Sequence, residues 1–184
     1  MYRYLLLLLL LTGCASAPVQ MQRSAEPDAP FAFNGRVSLK QGAQREKAGV
    51  RWVHKANEDE ILLLAPLGQT VARIYRDENK ATLVTSGKGY RAQDMESLMQ
   101  QVLGWQLPLS GMRYWIVGQS APEGESSFEM AASGQLGVLR QQGWVIGYSR
   151  YTSDRMDALP LRLSLKREGV EVLLVIDEWE LLPP

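Results

Sequence analysis

Two residue types are almost missing from this chain: among 184 residues there is one cysteine, Cys14, and one histidine, His54. A lone cysteine excludes an internal disulfide, so stability has to come from apolar burial. With one histidine and one cysteine, no pair has the spacing of a zinc site, and no cofactor or metal is expected. Any Ser-His-Asp or Cys-His arrangement would have to use His54, which ends a predicted strand beside Lys55; the expectation is a protein that is not an enzyme and has no catalytic residue. Gly87-Lys88-Gly89 is too short for a phosphate loop and suits a hairpin turn. The acidic run Glu58-Asp59-Glu60 reads as a solvated loop. Excess charge of one sign is also absent, since Lys plus Arg and Asp plus Glu each total 20. Nucleic acid, which needs a positive field, is therefore not an expected partner. Finally, the apolar run Leu5–Leu11 falls well short of the roughly 20 residues that cross a bilayer as a helix.

What the amino terminus does contain reads as an export signal. Arg3, the leucine run and small residues lead to Leu11-Thr12-Gly13-Cys14. That tetrad resembles the bacterial lipobox, which implies removal of residues 1–13 and lipidation of Cys14; an unpaired exposed thiol in an oxidising compartment would otherwise result. Ala15 follows in place of the aspartate that retains enteric lipoproteins in the inner membrane, so the expected location is the periplasmic face of the outer membrane, held by lipid. Residues 14–30, rich in Ala, Pro, Ser, Gln and Glu, are expected to form a flexible tether. Residues 31–184 have the size of one domain, taken as a monomer. Five tryptophans and seven methionines make its interior adaptable in shape.

That body reads as mainly β. Leu161 to Lys166 alternates apolar and polar strictly; Ala48, Val50 and Trp52 share one strand face, Trp144, Ile146 and Tyr148 another, Leu173 and Val175 a third. Turn signals recur every 8 to 12 residues or so, as expected for a meandering antiparallel sheet curled into a barrel or half-barrel. One stretch breaks the rhythm: Met95, Leu98, Met99, Val102 and Leu103 recur at helical spacing, with Asp94 placed as N-cap and Gly104 as stop. A shorter helix is predicted over Gly111–Val117, with Met112, Trp115 and Ile116 on one side. These helices either complete the core or form a cover over an apolar cavity.

In Ala65-Pro66-Leu67-Gly68, Pro66 and Gly68 suit the second and fourth positions of a type I turn, placing Leu67 near its tip. Leu67 either folds back on the core or projects into lipid or another protein.

The landmarks Phe33-Asn34-Gly35-Arg36-Val37, Val50-Arg51-Trp52, Ala65-Pro66-Leu67-Gly68, Tyr90 to Asp94, Leu103-Gly104-Trp105 with Leu107-Pro108, Tyr114 to Gly118, Gln142-Gly143-Trp144, Leu159-Pro160 and Asp177-Glu178-Trp179 resemble, in order, those of the outer-membrane lipoprotein receptor family LolB. The resemblance implies an α+β, mainly β fold: an incomplete antiparallel barrel of about eleven strands, its open side covered by helices, around a hydrophobic cavity. It also implies a function, accepting lipoproteins from the periplasmic carrier LolA and inserting them into the outer membrane. On that basis Cys14 carries the anchor and Pro66, Leu67 and Gly68 form the membrane-contacting loop. Trp52, Trp144, Ile146, Leu163, Leu173 and Val175 are assigned to the sheet wall of the acyl-chain cavity, and Met95, Leu98, Met99, Val102 and Trp115 to its cover. The sheet assignments rest on alternation, where a one-residue slip exchanges the faces. The expected partners are LolA, lipoprotein cargo and outer-membrane lipid. Two other readings stand beside this one: a lipoprotein of similar fold that binds free lipid, glycolipid or a hydrophobic peptide, and an outer-membrane scaffold with a filled core.

Overall fold

A computed structural model describes residues 21–105, 107–180 and 182. The expected signal over 1–13 and the anchor at Cys14 lie outside the described residues. Eleven strands form one antiparallel sheet: β1 (Phe31–Gln41), β2 (Gln44–Lys55), β3 (Glu58–Leu64), β4 (Thr70–Arg76), β5 (Ala81–Thr85), β6 (Lys88–Ala92), β7 (Ser126–Met130), β8 (Leu136–Gln141), β9 (Trp144–Tyr151), β10 (Pro160–Arg167) and β11 (Val170–Glu180). Their order across the sheet is β6-β5-β4-β3-β2-β1-β11-β10-β9-β8-β7. Every neighbouring pair is consecutive in sequence except β1 with β11, which joins the two ends of the domain in mid-sheet. β6 and β7 do not pair, so the barrel is left open, and the segment linking them carries both helices, α1 (Met95–Leu103) and α2 (Leu109–Ile116).

An antiparallel meander has two ends. The turns at Gly42, Gly68, Gly87, Gly143 and Gly169 lie at one, each glycine at positive φ. The β2–β3 turn and the β9–β10 loop lie at the other, where Phe31, Phe33, Trp52 and Trp179 pack with ring centroids 5.5–6.4 Å apart and fill the interior.

The β1–β11 seam depends on Gly35. The register slips there, with Asn34 opposite Glu178 but Gly35 opposite Ile176, leaving Asp177 as the extra residue of a bulge. A methyl group on Gly35 would collide with the carbonyl oxygen of Val175. Asp177 is turned outward onto Arg36, held by two hydrogen bonds of 3.0 and 2.7 Å. Gly35→Ala is expected to cost about 1–3 kcal/mol through backbone displacement at the seam, a fall of several degrees in the midpoint of thermal unfolding measured by circular dichroism.

Both helices have definite ends. The Asp94 carboxylate accepts the Ser97 N–H at 2.7 Å, and Gly104, at φ 70°, turns the chain out of α1 while donating to the Gln100 carbonyl at 3.1 Å. The second helix starts two residues earlier than its pattern suggested, directly after Pro108. Its exposed first-turn amides are met from α1: Glu96 accepts both the N–H and the hydroxyl of Ser110, at 2.8 and 3.1 Å. The two helices thus form one unit, with Met95, Leu98 and Met99 buried on the sheet side.

Part of the stretch expected as a tether, 14–30, touches the body. Residues from Met21 onward are held against the body: Gln22 pairs with Ala158, the Arg23 N–H donates to the Asp157 carbonyl at 2.8 Å, and the Gln119 amide donates to the carbonyls of Ser24 and Glu26.

Candidate functional site

Inside the half of the sheet made by β1 to β4 and β11 lies an apolar cavity of about 220 Å³. Phe33 and Trp52 of the aromatic plug form its floor, Leu39, Val50, Ile61, Leu63 and Leu174 its sheet wall, and Met99, Leu107, Leu109, Met112 and Ile116 the wall on the helix side. Glu46 and Lys47, next to the β1–β2 turn, and Val71, just after the β3–β4 turn, stand at its rim. The cavity therefore runs from the plug toward the end of the sheet that carries Leu67. In its present form it is smaller than the roughly 300–1,000 Å³ of sites that engulf drug-sized ligands.

Of the residues assigned to this cavity by pattern, Trp52 and Met99 lie on its wall. Met95, Leu98, Trp115, Trp144, Ile146 and Leu163 are buried, and Val102 packs at the edge of the same core. These seven fill the interior away from the cavity, where the Trp115 and Trp144 rings lie 6.3 Å apart. Trp115 is fixed there by its indole N–H, which donates to the Gln141 side chain at 2.8 Å, and by its carbonyl, which accepts the Tyr148 hydroxyl at 2.8 Å. Burial pushes the Tyr148 phenol far above its ordinary pKa, so it remains a donor.

Leu173 and Val175 are a correction. Both face outward and border a groove on the outer surface beside Arg36 and Pro66, while Val172 and Leu174 face the cavity. The run from Val172 to Ile176 is apolar throughout, so hydrophobicity does not choose a face. The polar residues at its ends do: Glu171 and Asp177 share the odd-numbered face and mark it as the wet one.

The turn between β3 and β4 has the geometry its sequence suggests. The Gly68 N–H donates to the Ala65 carbonyl at 2.8 Å, the Ala65 N–H to Gln69 at 2.9 Å, and Gly68 sits at φ 83°. Leu67 at its tip is 86% exposed, which disposes of folding back on the core. Val71, one residue into β4, is exposed as well.

The profile of the family described as "Outer membrane lipoprotein LolB" matches residues 29–179. The chain belongs to the LolB family. Relatives named "Outer-membrane lipoprotein LolB" include one from Nitrosomonas europaea, 37% identical over 95% of this chain and 89% of its own length. Another, from Chromobacterium violaceum, is 39% identical over 98% of this chain and all of its own; a third, from Pseudomonas aeruginosa, is 33% identical over 86% and 78%. Among solved structures, a LolA superfamily protein from Nitrosomonas europaea shares the fold with a TM-score of 0.52 at 7% identity, over 86% of this chain and 89% of that one.

In this LolB-family chain the acidic run after β2 is not the solvated loop that its composition suggests. Asp59 lies within β3 and is buried, as is His54. One carboxylate oxygen accepts the Trp52 indole N–H at 2.8 Å and lies 2.8 Å from His54 Nδ1; the other lies 2.7 and 2.6 Å from Arg76 nitrogens. Burial pushes this carboxyl up, but the hydrogen bonds from His54 and Trp52 and the charges of His54 and Arg76 outweigh it and hold Asp59 below the ordinary carboxylate value. The other imidazole nitrogen lies 3.1 Å from Asp28, which also lies 3.1 Å from Arg113 Nε on α2. His54 thus stands buried between two carboxylates. Among the described residues no cluster of His, Cys, Asp or Glu could hold a metal ion, and no helix is long and apolar enough to cross a membrane.

Proposed function

We propose that this protein is a lipid-anchored receptor at the periplasmic face of the outer membrane, taking lipoproteins from the carrier LolA and releasing them into that membrane. Membership of the LolB family supports the assignment. The observation that carries the mechanism is the placement of the apolar cavity and the exposed Leu67 turn at the same end of the sheet.

At about 0.8 kcal/mol per buried CH₂, exposing one long acyl chain to water costs on the order of 10 kcal/mol, and a mature lipoprotein has three chains. Transfer must pass through successive apolar sites, the receptor cavity binding more favourably than the carrier and less favourably than the bilayer. In this scheme Phe33, Leu39, Val50, Trp52, Ile61 and Leu174 receive acyl chain from the sheet side. Met99, Met112 and Ile116 meet it from the helices, where methionine adapts to chains of different shape. Pro66 and Gly68 set the turn, and Leu67 enters lipid first. One leucine contributes about 1.5–3 kcal/mol on burial, enough to orient an encounter but not to anchor it. Anchoring falls to Cys14.

Leu67→Glu separates the two steps. Loading from LolA with radiolabelled lipoprotein is expected to proceed at the wild-type rate, while release into outer-membrane vesicles slows by at least about tenfold, the equivalent of roughly 1.4 kcal/mol. Normal release by this variant would remove the turn from the mechanism.

A further inference from the structure

We propose, on the basis of the receptor reading above, that Met21–Pro30 is a latch on the cavity's helical wall, released when cargo enters. Long acyl chains cannot enter a cavity of about 220 Å³ unless a wall moves. The sheet wall is joined by continuous strand pairing across β4, β3, β2, β1 and β11. The opposite wall, α1 and α2, has no strand pairing with the sheet; it is held by side-chain packing and by the hydrogen bonds of Trp115 to Gln141 and Tyr148, and is the part able to shift.

The segment 21–30 crosses that wall from outside. It starts at the β9–β10 loop, where Gln22 pairs with Ala158, and ends at β1. Between these points it meets α2 and the residues just after it: Arg23 donates to the Gly118 carbonyl at 3.1 Å, Gln119 donates to Ser24 and Glu26, and Asp28 lies against Arg113. These contacts, at positions 113, 118 and 119, alternate along the chain with the cavity wall at Leu109, Met112 and Ile116. Asp28 also faces His54 of β2, so the segment ties α2 to the sheet at the end that carries the aromatic plug.

The grip is of a kind that lets go. No residue from Met21 to Pro30 is fully buried, and Met21 is the one apolar side chain of the segment packed against the core. Asp28 is held at φ 62°, a backbone state that favours glycine. Polar contacts of this sort place a segment at the low-stability end of a fold, where local opening occurs first.

Two variants with opposite signs test the latch. In the soluble form, with Cys14 replaced, Gln22→Cys together with Ala158→Cys provides an antiparallel residue pair within disulfide range. Oxidation should slow transfer of radiolabelled lipoprotein from LolA by at least about tenfold, and reductant should restore it in the same protein, which excludes misfolding as the cause. Asp28→Ala, which frees Arg113, should instead speed loading several-fold and raise hydrogen exchange in α2. Equal loading by the oxidised and reduced forms, or slower loading by Asp28→Ala, would overturn the proposal. If the wild-type protein itself takes neither lipoprotein nor a fluorescent fatty acid, the receptor reading fails instead.

Discussion

Asp59→Asn is expected to lower the midpoint of thermal unfolding by on the order of 10 °C. The change keeps the shape of the side chain but leaves the Arg76 guanidinium, itself mostly buried, without its counter-charge beside a buried His54. Removing one partner of a buried pair costs about 3–5 kcal/mol, and for a domain of this size each kcal/mol moves the midpoint by roughly 2–4 °C. The effect has a definite pH dependence. Because the folded protein holds the Asp59 carboxyl below its ordinary value, the stabilisation is fully present above the unfolded value of about 3.9 and is lost as pH falls through the lower, folded one. The gap between wild type and variant should therefore be widest near neutrality and close at lower pH. A gap equally wide at pH 7 and pH 2 would mean that the charge on Asp59 is not what stabilises this end of the sheet.

Ala48→Trp is expected to leave the fold intact and weaken binding of acylated cargo about 50-fold or more. Ala48 faces the cavity from β2, opposite Val37 on β1, at a half-buried position where a large ring has room to enter. Such a ring takes the place of roughly three or more methylenes of bound chain, a loss of about 2.4 kcal/mol at 0.8 kcal/mol each. Equilibrium binding of a fluorescent fatty acid and capture of lipoprotein from LolA should fall together. Unchanged binding by a folded variant would place the acyl-chain site elsewhere.

The features that were legible in the sequence are those fixed locally. Asp94 and Gly104 delimit α1 because a carboxylate cap and a left-handed glycine act within one turn of the chain. Pro66 and Gly68 shape their turn for the same reason, but the sequence left Leu67 at its tip free to fold back or to project, and the structure shows it exposed. The meander of eleven strands followed from turn signals and the family's landmarks. What stayed hidden depends on partners distant in sequence. The inward face of β11 is masked by the uniform apolar run between Val172 and Ile176; only Glu171 and Asp177 at its ends mark the outward face, and pairing with β1 fixes it. Asp59 looked solvated because acidic residues usually are; its partners, Trp52 and His54 on β2 and Arg76 on β4, close around it only in the folded sheet. The cavity's position could not be read from amphipathicity, which marks Trp115, Trp144 and Leu163 as inward without showing that they fill one half of the barrel and leave the other half empty. Docking of Arg23 and Asp28 onto α2 was equally invisible, because a polar, proline-containing segment has the composition of a linker whether or not it finds a surface.

In the proposed function this chain takes acylated cargo from a carrier by apolar affinity alone. The most direct measurement mixes the soluble form, with Cys14 replaced, with LolA loaded with radiolabelled lipoprotein, and separates the two proteins in the absence of nucleotide. Label is expected to move onto this protein until little remains on the carrier, and far less to move onto the Ala48→Trp variant. Label that stays on LolA, with a folded and cavity-intact receptor present, would contradict it.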